Sequence, residues 1–194
     1  MQRLTPMSSR VLEKKMEQWI DAKLAGNGLA QAAIKSKDAR TVFRCAAESC
    51  VGIHEEGSNN SGPMVSLIQD TVDGPDHVAW CMSFVQTALA YAEKKTGIKS
   101  PVAVSEHCMT TWNETPKKQR VKAVPAAGAI IIWRHGSSDA GHTGLMLEWN
   151  DSKMNTIEGN TSDSNMREGD GVYFKTRSST ATGSMRVVGF LKPF

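Results

Sequence analysis

Apolar residues along the first two thirds of the chain recur at helical spacing. Leu12, Met16, Trp19, Ile20 and Leu24 fall on one stripe, which predicts an amphipathic helix over residues 9–25 that closes near Gly26-Asn27-Gly28. Thr41 is placed to cap a second helix reaching about Val51, with Val42, Cys45, Ala46 and Cys50 on its apolar side. The turn-forming stretch Glu55-Glu56-Gly57-Ser58-Asn59-Asn60-Ser61-Gly62 reads as a loop, and Pro63 opens a helix whose apolar face is Met64, Val65, Leu67, Ile68 and Val72. Cys81, Phe84, Val85, Ala88, Leu89 and Ala92 then trace a longer helix that Gly97 stops. A short helix over Ser105–Asn113 precedes a basic run from Lys117 to Lys122.

Beyond Pro125 the period changes. Ala129–Trp133, His142–Trp149, Asn155–Asn160, Val172–Arg177 and Arg186–Leu191 are short segments rich in β-branched and aromatic residues, separated by turn formers. Helices first and strands second predict an α+β fold, with N-terminal helices packed on a C-terminal antiparallel sheet. At 194 residues, 40% of them hydrophobic, the chain suits one domain, 1–194, with a helical extension over 1–40 and a core over 41–194.

The net charge of +3 suits an anionic partner but is well short of a dedicated nucleic-acid binder. No membrane span and no secretory leader are legible, so the expectation is synthesis in the cytoplasm, without membrane insertion, and export by another route. Cys45, Cys50, Cys81 and Cys108 are read as reduced. Cys45, Cys50 and His54 lack the paired spacing of a structural zinc site, so no metal is assigned.

One cysteine sits where chemistry is possible. Cys81 falls in the first turn of its helix, where free N–H groups and the helix dipole favour a thiolate over a thiol. A nucleophilic cysteine requires an imidazole to move protons and a third group to orient that ring. His142 is the strongest candidate for the imidazole, at the mouth of a strand, with Gly144 two residues on adding no side chain that would crowd the ring. Glu158 and Asn160 share a face of the next strand, and either could accept from the imidazole if the two strands pair through a turn at Asn150–Lys153. His54, His77, His107 and His135 read as surface or capping residues, His135 being the nearest to the site.

With these residues in view, the sequence resembles the CHAP domain, the cysteine- and histidine-dependent amidohydrolase/peptidase family of papain-like enzymes. The matching motifs are "WC..FV" at Trp80–Val85, "P..G.I..W" at Pro125–Trp133, "GH.G" at Gly141–Gly144 and "IEGNT" at Ile157–Thr161, in the family's order and within about residues 50–191. The resemblance implies a papain-like fold and hydrolysis of an amide bond in bacterial peptidoglycan by a monomer. It makes Cys81 the nucleophile, His142 the base and acid, Glu158 the orienting group, and Asn160 a helper or substitute for that group. Trp80, Glu56 and Asn60 are expected to line the substrate cleft. Some relatives bind calcium near the nucleophile; Asp70, Asp73 and Asp76 match that spacing poorly, and no cofactor is expected. A phage endolysin acting on the cell wall is the simplest setting. The alternatives are an amidase effector or wall-remodelling enzyme, and a non-catalytic wall-binding or virion structural module.

Overall fold

The computed structural model describes residues 10–123, 126–150, 152–163, 168–182 and 184–194. Pro125, the first residue of one of the four motifs, lies outside them. Six α-helices occur among the described residues: α1 (Lys14–Leu24), α2 (Gly28–Ser36), α3 (Ala39–Ser49), α4 (Pro63–Asp70), α5 (Cys81–Thr96) and α6 (Cys108–Glu114). A single 3-10 turn (Lys117–Gln119) leads into the strands β1 (Arg120–Val121), β2 (Ile130–His135), β3 (Gly141–Asn150), β4 (Lys153–Thr161), β5 (Gly171–Ser178), β6 (Ala181–Thr182) and β7 (Met185–Leu191). The fold is α+β, with the helices first and one antiparallel sheet after them.

Several helix ends differ from the sequence expectation, each for a local reason. The first helix begins only at Lys14; Val11 ahead of it is extended and bonds through its N–H to Thr71 O, beyond α4. The second helix has no counterpart in the sequence expectation: Asn27, there part of a stop, accepts from Ala30 N and starts α2. For α3 the cap is Asp38, whose carboxylate accepts from both the N–H and the hydroxyl of Thr41, so Thr41 lies inside the first turn. Helix α6 starts at Cys108, because Ser105 caps the chain ahead of it by accepting from His107 N.

The sheet runs β1-β7-β2-β3-β4-β5, with β6 paired to the start of β7 and β1 to its end. Helix α5, nearly all buried, lies across β3 and β4. Gly159 permits that contact, since a Cβ on it would sit 2.7 Å from Phe84 Cβ. Phe84, Leu89, Ile130, Leu145 and Ile157 share one buried cluster with Met16, Ile20, Leu24 and Ala33 from α1 and α2. A smaller cluster of Ile131, Trp133, Met146, Met154 and Phe190 forms separately on the sheet. Arg10 ties the start of the described chain to α5 and to the segment between α5 and α6: its guanidinium bonds Gln86 Oε1, Glu93 Oε1 at 2.6 Å and Val102 O at 2.5 Å. Both members of the Arg10–Glu93 pair are almost fully buried.

Candidate active site

Trp80 is the last residue before α5, and Cys81 is the first within it. The sulfur therefore meets the unpaired N–H groups of the first turn, and the Met82 N–H bonds it. Hydrogen bonds from the Cys108 thiol, from His142 and from Met82 hold the Cys81 pKa well below its ordinary 9.0, although burial opposes a charge there. The thiol 3.8 Å away on Cys108 is pushed well above 9.0, because it faces the Cys81 sulfur and is itself buried. Cys81 is thus the ionised member of the pair.

Strand β3 supplies His142. Its partner across the β2–β3 register is Trp133, and the two rings stack at 5.7 Å and 26°. The β3–β4 hairpin closes with Asn150 opposite Lys153, in line with the sequence expectation, and brings Glu158 to the same ring: His142 Nε2–H donates to Glu158 Oε2 at 2.9 Å. With Nε2 so engaged, Nδ1 is the ring nitrogen left for the Cys81 sulfur, whose negative charge favours the imidazolium. Burial works against the imidazolium, yet the bonds to Cys81 and Glu158 raise His142 to about 9. Gly144 has a different role from the one expected. A Cβ there would lie 2.6 Å from Glu158 Cγ and 2.7 Å from Ile157 O, so the glycine makes room for the carboxylate rather than leaving the ring open to substrate.

Glu158 is fully buried and still ionised, its pKa lowered to about 2. Burial alone would raise it; His142 and Arg177 more than offset that. Arg177, on β5, grips the carboxylate with Nε at 2.9 and 3.1 Å and Nη2 at 2.5 Å, and also reaches Thr161 Oγ1. Thr156 Oγ1 donates to the other oxygen at 2.6 Å. The result is a continuous line of contacts from the start of α5 through the sheet: Cys81, His142, Glu158, Arg177.

Residues 73–160 match the family model of the CHAP domain. This segment is a CHAP domain. No curated protein and no solved structure matches the chain. The matched segment holds α5, α6, the β2–β4 part of the sheet and three members of that line, while Arg177 lies outside it. CHAP domains are in general hydrolases that act on peptidoglycan.

The other candidates have varied positions. Asn160 does not meet the imidazole that Glu158 occupies: its backbone is left-handed, φ 50°, which interrupts the strand alternation, and its amide donates to Asn60 Oδ1 at 2.8 Å. Asn60 is left-handed as well and gives its N–H to Glu55 Oε2 at 2.8 Å. Trp80 offers no surface to a ligand; it is fully buried and its indole N–H donates to Glu55 Oε1 at 2.9 Å. Glu55, not Glu56, organises this loop, and Glu56 is exposed with only its backbone N–H engaged, on Ser61 O. His135 bonds Ser184, His77 bonds Ser61 and His54 bonds Tyr173. Asp70 is raised by burial and by the nearby charges of Glu13, Asp76 and Asp73, but among the described residues no three His, Cys, Asp or Glu side chains converge as metal ligands. Among the described residues no helix is long and apolar enough to cross a membrane.

Sequence reasoning missed Arg177, Thr156, Glu55 and Cys108. A buried carboxylate calls for a cation on the adjoining strand, and β5 carries two, Lys175 and Arg177; Lys175 is spent on Ser162 O.

Proposed function

We propose that the protein cleaves an amide bond of bacterial peptidoglycan by acyl transfer to Cys81, either between the sugar and the stem peptide or within the peptide. The observation that carries this reading is the buried Cys81 sulfur at the start of α5, whose pKa is lowered by Cys108 and by His142, together with the hydrogen bond by which Glu158 holds that imidazole. The thiolate attacks the scissile carbonyl while the Cys81 N–H, in the first turn of α5, faces the developing oxyanion. A donor of that kind contributes about 3 kcal/mol where it has been measured. The imidazolium, its Nε2 fixed on Glu158, gives the Nδ1 proton to the leaving amine and then activates the water that hydrolyses the thioester. Glu158 holds the ring in that tautomer and stabilises its charge.

In this reading Asn160 and Asn60 form a polar link beside the cleft, and the protein works as a monomer without a cofactor. The setting we favour is a phage endolysin, made in the host cytoplasm and acting on the wall; the mild positive charge suits that anionic polymer. The test is turbidity loss of purified cell walls with the wild type and with Cys81→Ala, each checked for folding by circular dichroism. Loss of lysis by a factor of at least about 1,000 is expected for the variant, since the thioester path is gone. Undiminished lysis by a folded Cys81→Ala would remove Cys81 as the nucleophile, and a wild type that binds walls without lysing them would leave a wall-binding module. Mass spectrometry of the released muropeptides then identifies the bond.

A further inference from the structure

Cys108 takes no part in the acyl-transfer steps above, yet its sulfur lies 3.8 Å from that of Cys81. Both residues are free thiols, 6% and 5% exposed, and each opens its helix, Cys81 at α5 and Cys108 at α6. The second thiol is built into the wall of the site. Gly141, the residue before His142, clears the space for it: a Cβ there would sit 2.9 Å from Cys108 Cβ and 2.7 Å from Trp133 O. A disulfide needs sulfurs about 2.0 Å apart, so the two must approach by less than about 2 Å.

We propose that Cys81 and Cys108 close into a reversible disulfide under peroxide, an oxidative modification that shuts the site until a thiol reductant opens it. The Cys81 thiolate attacks one oxygen of hydrogen peroxide, breaking the O–O bond and leaving a sulfenic acid and hydroxide. The Cys108 sulfur then attacks the Cys81 sulfur, the S–OH bond breaks, and the departing hydroxide takes the Cys108 proton as water. In sum, two thiols and one peroxide become one disulfide and two waters; each sulfur gives up one electron to the peroxide oxygens. A dithiol reductant reverses the link by thiol–disulfide exchange. Without Cys108 the sulfenic acid has no adjacent thiol, and a second hydrogen peroxide oxidises it, with release of water, to sulfinic acid, which such reductants do not reverse. That the link stops hydrolysis rests on the role proposed for Cys81; that it forms does not.

The experiment treats the full chain with a several-fold excess of hydrogen peroxide, alkylates it in denaturant and reads intact mass and a peptide map. Two of the four cysteines are expected to resist alkylation, on a cross-linked peptide pair containing Cys81 and Cys108, and dithiothreitol is expected to return all four. In Cys108→Ser and Cys108→Ala, Cys81 is expected to gain about 32 Da and to keep it after dithiothreitol, with each variant's activity read against its own untreated level. Cys108 still fully alkylated in peroxide-treated wild type whose Cys81 is already oxidised would overturn the inference, and that readout needs no variant to fold. A protein that forms the link but lyses no walls loses the proposed function alone. One that lyses walls but never forms the link loses this inference alone.

Discussion

Replacing Arg177 with Met removes the guanidinium from a carboxylate that has no exposed surface and leaves Glu158 to His142 and Thr156. A carboxyl held at about 2 instead of 4.5 is favoured as its anion by about 3 kcal/mol. Arg177 shares that effect with His142, and its side chain is 15% exposed, so about 2 kcal/mol is its expected part at neutral pH. Because the folded pKa of Glu158 is depressed, this stability is fully present above about 4.5 and is lost as pH falls through about 2. The penalty of Arg177→Met, measured by urea denaturation, should therefore be largest near pH 7 and clearly smaller at pH 3. The acid limb of kcat/KM should also move to higher pH, as Glu158 accepts a proton more readily. An equal loss of stability at both pH values, with an unmoved acid limb, would mean that Arg177 matters for its packing and not for the charge on Glu158.

The alkaline limb has its own signature. Lysis should fall as pH rises through about 9, where His142 loses the proton it would give the leaving amine, and a pH–rate profile of wall turbidity checks this; a rate still rising at pH 10 is incompatible with the assigned proton donor. Gly144→Ala sets a methyl 2.6 Å from Glu158 Cγ and should lower stability by about 1 to 3 kcal/mol together with kcat, read by thermal denaturation and wall lysis. Glu55→Ala deprives the Trp80 indole N–H and the Asn60 N–H of their acceptor and should cost about 1 to 3 kcal/mol in a urea titration. The same substitution at exposed Glu56 should change stability by less than about 0.5 kcal/mol.

The sheet was legible because its strands announce themselves twice, by β-branched and aromatic content and by the turn formers between them; Gly141–Asn150 and Lys153–Thr161 enclose the expected segments within one or two residues. Helix α2 was not, since Gly26-Asn27-Gly28 reads as a stop and hides the cap that Asn27 gives to Gly28–Ser36. For the site, Cys81, His142 and Glu158 could be read from helix position and strand order, and the structure brings them together. Arg177 could not. In the β4–β5 register it faces Met154, while Glu158 faces Tyr173, so the contact depends on the length of the arginine side chain and not on spacing. Trp80 was misjudged because an indole beside a nucleophile suggests a stacking surface, whereas here its N–H is drawn inward by Glu55.

The buried Arg10–Glu93 pair bears on how this enzyme could be shortened. A fragment cut to residues 73–160 would keep Cys81, His142 and Glu158 but take the buried guanidinium from Glu93, leaving it to the exposed Lys99 and the Ser100 N–H, and would also discard the β5 arginine that helps keep Glu158 charged. The three side chains would all be there, in a scaffold that has lost one cation from each of two buried carboxylates. Any shortened version of this chain has to be designed outward from those two arginines.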